Sequence, residues 1–235
     1  MKSFLTLSGL LTLCVVKEIN GIDSPIWPQP DYVSLGSSIL KLDKSFTFTT
    51  DNSIQSDSSS LLIRAAVKRY LRLIDVPSNA DGSIKSCELI ILDSSNSTFS
   101  KFHEVVGKDE SYQLKVLDSG SCSIYSQTEF GALRGLETFS QLLTRDRTND
   151  VLLSGVPINI SDQPRFSHRG MMIDTSRHFL PVDQILSLID SFPYSKFNVL
   201  HWHIVDAISF PLNPPSAPTM QNGAFSPDAV VSILQ

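Results

Sequence analysis

No stretch of this chain is strongly basic: 19 Lys and Arg stand against 24 Asp and Glu, for a formal net charge of −5 at pH 7. A nucleic-acid partner needs a cationic stripe, so none is expected. Beyond the first residues there is no apolar run of the roughly 20 residues that a bilayer requires, so no membrane span is expected either. Charged residues make up only 18% and hydrophobic ones 41% of the chain, the balance of a soluble globular protein. The length suits one or two domains. Cysteine is scarce: Cys14 sits in the N-terminal apolar run, which leaves Cys87 and Cys122.

What is present begins with that run. Lys2 precedes apolar residues 4–16, and Lys17, Glu18 and the small Gly21 follow. The run is too short to span a bilayer and reads as a signal peptide over residues 1–21. The chain is therefore expected to enter the secretory pathway and to reach the extracellular space or a vacuole. In an oxidising compartment the pair Cys87 and Cys122, each at the edge of a predicted strand, suggests a disulfide; two buried free thiols are the alternative. Asn96-Ser97-Thr98 and Asn159-Ile160-Ser161 are N-glycosylation sequons. The first, inside the polar run DSSNSTFS, is the better candidate, since the second lies close to a domain junction.

Residues 22–164 read as a separate α+β domain. Strands are expected at 46–50, 87–93, 114–118, 121–126 and 151–158, with Ser119-Gly120 turning one strand into the next. A first amphipathic helix spans 61–73, with Leu62, Ala66, Tyr70 and Leu73 near one face. A second, at 129–143, is capped by Thr128, and its Gly131 and Gly135 allow close packing. Nothing in this domain points to chemistry; its local histidine, His103, lies in a polar loop.

Residues 165–212 carry the organising stretch, which reads as strand, helix, strand. An apolar strand over 168–174 breaks at Thr175-Ser176 into Arg177 and His178. A helix from Leu180 or Pro181 follows, with Ile185, Leu186, Leu188, Ile189 and Phe192 on its apolar face. Pro193 in its last turn removes a backbone donor and disfavours helix at Phe192. Residues 198–205 form a second near-continuous apolar run, the pattern of a strand in a parallel sheet, and Asp206 stands where it ends. A right-handed βαβ unit places both strand ends on one edge, so Arg177 and Asp206 are expected to be neighbours. In α/β barrels that edge binds substrate. Arg only donates and ionised Asp only accepts, a pairing that suits a neutral polyhydroxylated ligand; a structural salt bridge at the barrel rim is the alternative.

The runs RGMMIDTSRHFLPVDQIL, KFNVLHWHIVD and SFPL resemble the start of the catalytic barrel of family 20 glycoside hydrolases, the β-N-acetylhexosaminidases, with LPVD and SFPL most like the plant members. The runs IWPQPDYV and EFGALRGLETFSQLL are similar to that family's N-terminal domain. The resemblance implies an α/β protein: an N-terminal α+β domain, an antiparallel sheet with two helices on one face, followed by the first two βα units of a truncated (β/α)8 TIM barrel over 165–235. It implies that Arg177 and Asp206 bind outer hydroxyls of a terminal N-acetylhexosamine, with His203 helping to position them. It also supports pairing of Cys87 with Cys122. One departure is visible: Ala207-Ile208 follows Asp206, where the family has a polar or acidic residue and then Gln.

The implied reaction is removal of terminal N-acetylglucosamine or N-acetylgalactosamine from glycoconjugates, with no cofactor, by substrate-assisted retention. The substrate's acetamido oxygen attacks, an Asp orients it and the adjacent Glu protonates the leaving oxygen, a departure from the two-carboxylate scheme. That Asp-Glu pair belongs to a later barrel strand and is expected beyond Gln235. The chain's own Asp109-Glu110 lies in the N-terminal domain without the family's context. A complete barrel takes about 250 residues, and those after Pro164 hold two strands and part of a second helix. The chain alone is thus expected to be inactive, and a homodimer only if the full barrel exists.

His201 and His203 share one strand face and, with Asp206, suggest half of a metal site, but later ligands are missing and no metal is expected. Trp202, on the opposite face, is expected in the core. A noncatalytic secreted glycan- or partner-binding protein is the alternative function, for which residues 22–164 offer only Trp27, Phe99 and Phe102, Trp27 being expected to be packed.

Overall fold

The computed structural model describes residues 25–50, 58–92, 108–213 and 224–234. The proposed signal peptide with Cys14, the Asn96 sequon, Phe99, Phe102 and His103 lie outside them.

Among the described residues, eight strands and four α-helices follow in the order β1 (Tyr32–Thr50), α1 (Ser58–Ile74), β2 (Ile84–Ile91), β3 (Tyr112–Val116), β4 (Cys122–Ser126), α2 (Glu129–Gln141), β5 (Leu143–Arg145), β6 (Val151–Asp162), β7 (Gly170–Asp174), α3 (Val182–Ser191), β8 (Val199–His203) and α4 (Pro227–Leu234). The first six strands form one sheet, in the order β1-β2-β4-β3-β6-β5. The long β1 also pairs with β6 through residues 32–41, while its later part pairs with β2.

This sheet is mixed, which corrects the antiparallel expectation. β1–β2 and β2–β4 are parallel, and the β3–β4, β3–β6, β5–β6 and β1–β6 pairs are antiparallel. The physical reason is connectivity: α1 crosses over between β1 and β2, and a strand–helix–strand connection returns the chain in the same direction. β4 then inserts between β2 and β3, its hairpin partner. Strand alternation supplies the core, with Leu89, Leu114, Ile124, Leu153 and Ile160 buried beneath Leu136 and Phe139 of α2.

α2 begins where expected, with the Thr128 hydroxyl accepting from the Gly131 amide. A Cβ on Gly131 would meet the Ser111 carbonyl oxygen at 2.2 Å, and one on Gly135 the Ile124 Cγ2 at 2.5 Å, so both glycines are set by close approach. The buried face of α1 is Ile63, Tyr70 and Ile74; Leu73, assigned to that face from sequence, is 46% exposed. Cys87 and Cys122 are direct partners in the β2–β4 register and form a disulfide.

β7 and β8 form a separate parallel pair, with Ile173 beside Trp202 and Asp174 beside His203. A second apolar cluster of Ile173, Ile185, Phe225 and Ile233 lies on the α3 and α4 side. Leu186, expected on the buried face of α3, is instead partly exposed. At Pro193 the helix tightens into a 3-10 turn, Phe192–Ser195, which ends in the left-handed Lys196 at φ 54°. A ring without a backbone donor explains that change of helix type.

The two sheets meet through buried charge. Glu110 is 4% exposed and accepts from Arg134 on α2 at 2.6 Å, from Arg169 just before β7, and from Asn198 just before β8 at 3.3 Å. Beside it, Lys196 donates to Asp162 at the end of β6.

Candidate functional site

The site predicted from sequence lies at the carboxyl edge of β7 and β8. The parallel register ends on Asp174 and His203, and the chain carries the two strands out side by side. The Thr175 amide donates to the His203 carbonyl at 3.0 Å, and the Trp202 indole donates to the Thr175 hydroxyl at 2.9 Å. The Ser176 hydroxyl donates to the Ser209 carbonyl at 3.3 Å. Thr175 and Ser176 are buried, so these bonds fix the two loops against each other.

The structure brings the loops of Arg177 and Asp206 together, but the two side chains do not form an ion pair. Each is held within its own loop. Asp174 accepts from the Ser176 amide at 3.1 Å and the Arg177 amide at 3.0 Å, a local turn in which a short carboxylate replaces a backbone acceptor. Arg177 Nε lies 3.6 Å from the other Asp174 oxygen, with the Arg177 side chain 75% exposed. Its guanidinium thus faces solvent at the strand edge, anchored at one nitrogen and with donors to spare.

Asp206 accepts from the amides of Ile208 at 2.7 Å and Ser209 at 2.8 Å. These bonds, first that of Ile208, with the Ser176 hydroxyl and nearby His203 adding to them, hold its carboxyl below the usual carboxylate range. Ala207 and Ile208 form the tip of this turn, and Ile208 is 93% exposed, so the departure from the family pattern points outward. His203 and Asp174 are register partners and share one face. Among the described residues, His201, His203 and Asp206 do not gather into a metal-holding group. Trp202 packs edge-on against Phe225, with centroids 5.0 Å apart, as the core residue expected.

Sequence reasoning passed over Asp174, which shapes the Arg177 loop. Its signal was a short carboxylate at a strand end followed by Thr-Ser, the composition of a side-chain-capped turn. It also passed over Glu110 as a junction residue, whose partners are scattered along the chain. Trp27 was expected to be packed and is 60% exposed; its backbone, rather than its ring, is tied to Gln141. Asn159 lies in mid-β6 with its side chain exposed and its neighbours paired to β1 and β3.

Residues 166–232 match the family model for the catalytic domain of glycosyl hydrolase family 20, and residues 26–142 match that for beta-acetyl hexosaminidase like domains. The chain is 40% identical over 212 residues to β-hexosaminidase subunit B1 of Dictyostelium discoideum, an alignment covering 88% of this chain and 36% of that protein. It is 41% identical over 221 residues to β-hexosaminidase 1 of Arabidopsis thaliana, covering 87% of this chain and 40% of that one. The chain thus spans well under half the length of these relatives. Among solved structures, a chitobiase of Flavobacterium johnsoniae superposes with a TM-score of 0.67 at 26% identity, over 89% of this chain and 32% of that one. A Streptomyces plicatus N-acetyl-β-hexosaminidase shares the fold with a TM-score of 0.65 at 20% identity, over 89% and 42% of the two chains. The two family models, the relatives and the shared fold agree that this chain belongs to glycoside hydrolase family 20.

Proposed function

We propose that this chain serves a β-N-acetylhexosaminidase, an enzyme that removes terminal N-acetylglucosamine or N-acetylgalactosamine from glycans by substrate-assisted retention. Residues 22–164 form the supporting domain, and residues 165–235 supply the first two strand–helix units of the (β/α)8 barrel. Arg177 and Asp206 bind the outer hydroxyls of the terminal sugar, and His203 positions them. Residues 1–21 direct the chain into the secretory pathway, towards the extracellular space or a vacuole, with N-glycans at Asn96 and Asn159.

One observation carries this reading: the Arg177 and Asp206 loops leave adjacent parallel strands on one edge and are bonded to each other through Thr175 and Ser176. The exposed cation donates and the ionised carboxylate accepts, which matches neighbouring sugar hydroxyls.

The 235-residue polypeptide by itself binds the terminal sugar without cleaving it. Its Asp109-Glu110 pair cannot act as the catalytic pair, because Glu110 is buried and already bonded to Arg134, Arg169 and Asn198. The test is an assay of the purified, secreted 235-residue product on an aryl N-acetyl-β-glucosaminide. Release of the aryl group no faster than in an empty-vector control is expected; clear turnover would overturn this assignment.

A further inference from the structure

Phe225 has no assigned contact with the sugar, yet it binds together the two loops that do. It stands immediately ahead of α4, whose start is set by its sequence: the Ser226 hydroxyl accepts from the Ala229 amide at 3.1 Å, and Pro227 follows as the first helical residue. The Phe225 side chain is 2% exposed and belongs to the apolar cluster with Ile173, Ile185 and Ile233.

Its ring meets the Arg177 loop on both flanks. The Phe179 ring lies 4.7 Å from it, centroid to centroid, tilted by 32°. Trp202, edge-on to Phe225 at 5.0 Å, donates its indole N–H to the Thr175 hydroxyl at 2.9 Å. Phe179 follows Arg177 in the chain and Thr175 precedes it, so one buried ring braces the segment on either side of the cation, directly at Phe179 and through Trp202 at Thr175. The main chain of Phe225 holds the other loop. Its amide donates to the Pro211 carbonyl at 2.8 Å, and its carbonyl accepts from the Asn213 amide at 2.9 Å, a short parallel bridge opposite Leu212. These bonds fix the chain where it leaves the Asp206 turn, itself closed by the Asp206 amide donating to the Ser209 carbonyl at 2.9 Å.

Arg177 and Asp206 make no ion pair with each other, so their spacing follows from whatever holds their loops. Close-packed interiors pass a displacement on to their neighbours, and a site ordered before its ligand arrives loses less on binding. We propose that Phe225 is a positioning residue of the sugar edge: its ring and main chain set the separation of Arg177 and Asp206 at which neighbouring hydroxyls of a terminal N-acetylhexosamine are gripped. This rests on the assignment of Arg177 and Asp206 as the sugar-binding pair.

The test is the Kd for N-acetylglucosamine, read from amide shifts in the isotopically labelled 235-residue protein. Phe225→Leu keeps an apolar side chain and removes the flat ring; Phe179→Leu removes the same pair from its half-exposed side. Each is expected to weaken binding by about tenfold, the scale of one aromatic pair, and the double variant by less than the product of the two. Without sugar, Phe225→Leu shifts the amides of residues 175–179 and 206–209 together. Ile233→Val, which trims the same cluster on α4, lowers the melting temperature and leaves the Kd and those amides unchanged, so lost stability and lost positioning are read apart. If the parent binds the sugar and both leucine variants bind as tightly, the proposal is overturned while the sugar-binding pair stands. Equal weakening in Ile233→Val also overturns it, since any softening of the cluster would then suffice. A parent that does not bind overturns both this proposal and the sugar-binding pair. Should Phe225→Leu fail to fold, Phe179→Leu decides by the same criterion.

Discussion

Lys196 Nζ donates to Asp162 Oδ2 at 2.9 Å and to the Tyr112 hydroxyl at 3.0 Å, joining the turn before β8 to the end of β6. The lysine side chain is 4% and the aspartate 10% exposed. Burial pulls the Lys196 pKa down, and Asp162 works in the opposite direction. The Tyr112 hydroxyl, itself bonded to Asp162 and Thr138, is pushed well above its ordinary range, chiefly by burial. With the Glu110 cluster, this bridge fixes the starts of β7 and β8, whose far ends carry Arg177 and Asp206.

Removing one member of such a pair leaves an uncompensated buried charge. Lys196→Met and Asp162→Asn are each expected to lower the unfolding free energy by about 3–5 kcal/mol, and the double variant by less than the sum. Urea denaturation of the four proteins checks this, and additive losses would show that the two residues do not interact.

Glu110 is a carboxylate shared by Arg134 and Arg169. Glu110→Gln keeps the shape and removes the charge, leaving two cations facing each other across the junction. A lower melting temperature than that of the parent is expected in a thermal melt followed by circular dichroism. A melting temperature equal to that of the parent would remove Glu110 from the account of the junction.

The Cys87–Cys122 disulfide spans a sequence separation of 35. Cross-links over loops of this size contribute about 3–4 kcal/mol by the chain-entropy relation. The Cys87→Ala/Cys122→Ala protein is expected to lose stability on that scale in the same denaturation experiment. A loss below about 1 kcal/mol would mean that register alone holds β2 against β4.

The order of these elements was legible in the sequence wherever the signal was local. Thr128 ahead of an apolar helix, Gly131 and Gly135 at its packing face, and the Ser119-Gly120 turn all stand as expected. The extent of β1 was not, because Gly36, Ser37 and Ser38 and later Asp43, Lys44 and Ser45 interrupt its alternation, and the register shifts there. The parallel β1–β2 pair follows from the helix between them, a signal that was present but outweighed by the hairpin downstream. At the site, Arg177 and Asp206 were found from strand ends, but their separate anchoring was not. It depends on amides of Ser176, Arg177, Ile208 and Ser209 whose orientation only the folded loops determine.

The bonds to Asp206 favour its ionised form, so its folded pKa lies below its unfolded value of about 3.9. Its contribution to the loop is therefore complete above that value and is lost as pH falls through the folded pKa. Carboxyl ¹³C titration should place the Asp206 midpoint below that of an unfolded aspartate; a midpoint above it would mean that the turn does not hold the carboxylate.

The most direct test of the account is a titration of N-acetylglucosamine into the isotopically labelled 235-residue protein, followed by amide chemical shifts. Shifts concentrated at residues 174–177 and 203–209, and abolished in Arg177→Met and Asp206→Asn, are the predicted result. An unchanged spectrum at these two loops, or shifts there that survive both substitutions, would contradict the assignment of Arg177 and Asp206 as the sugar-binding pair.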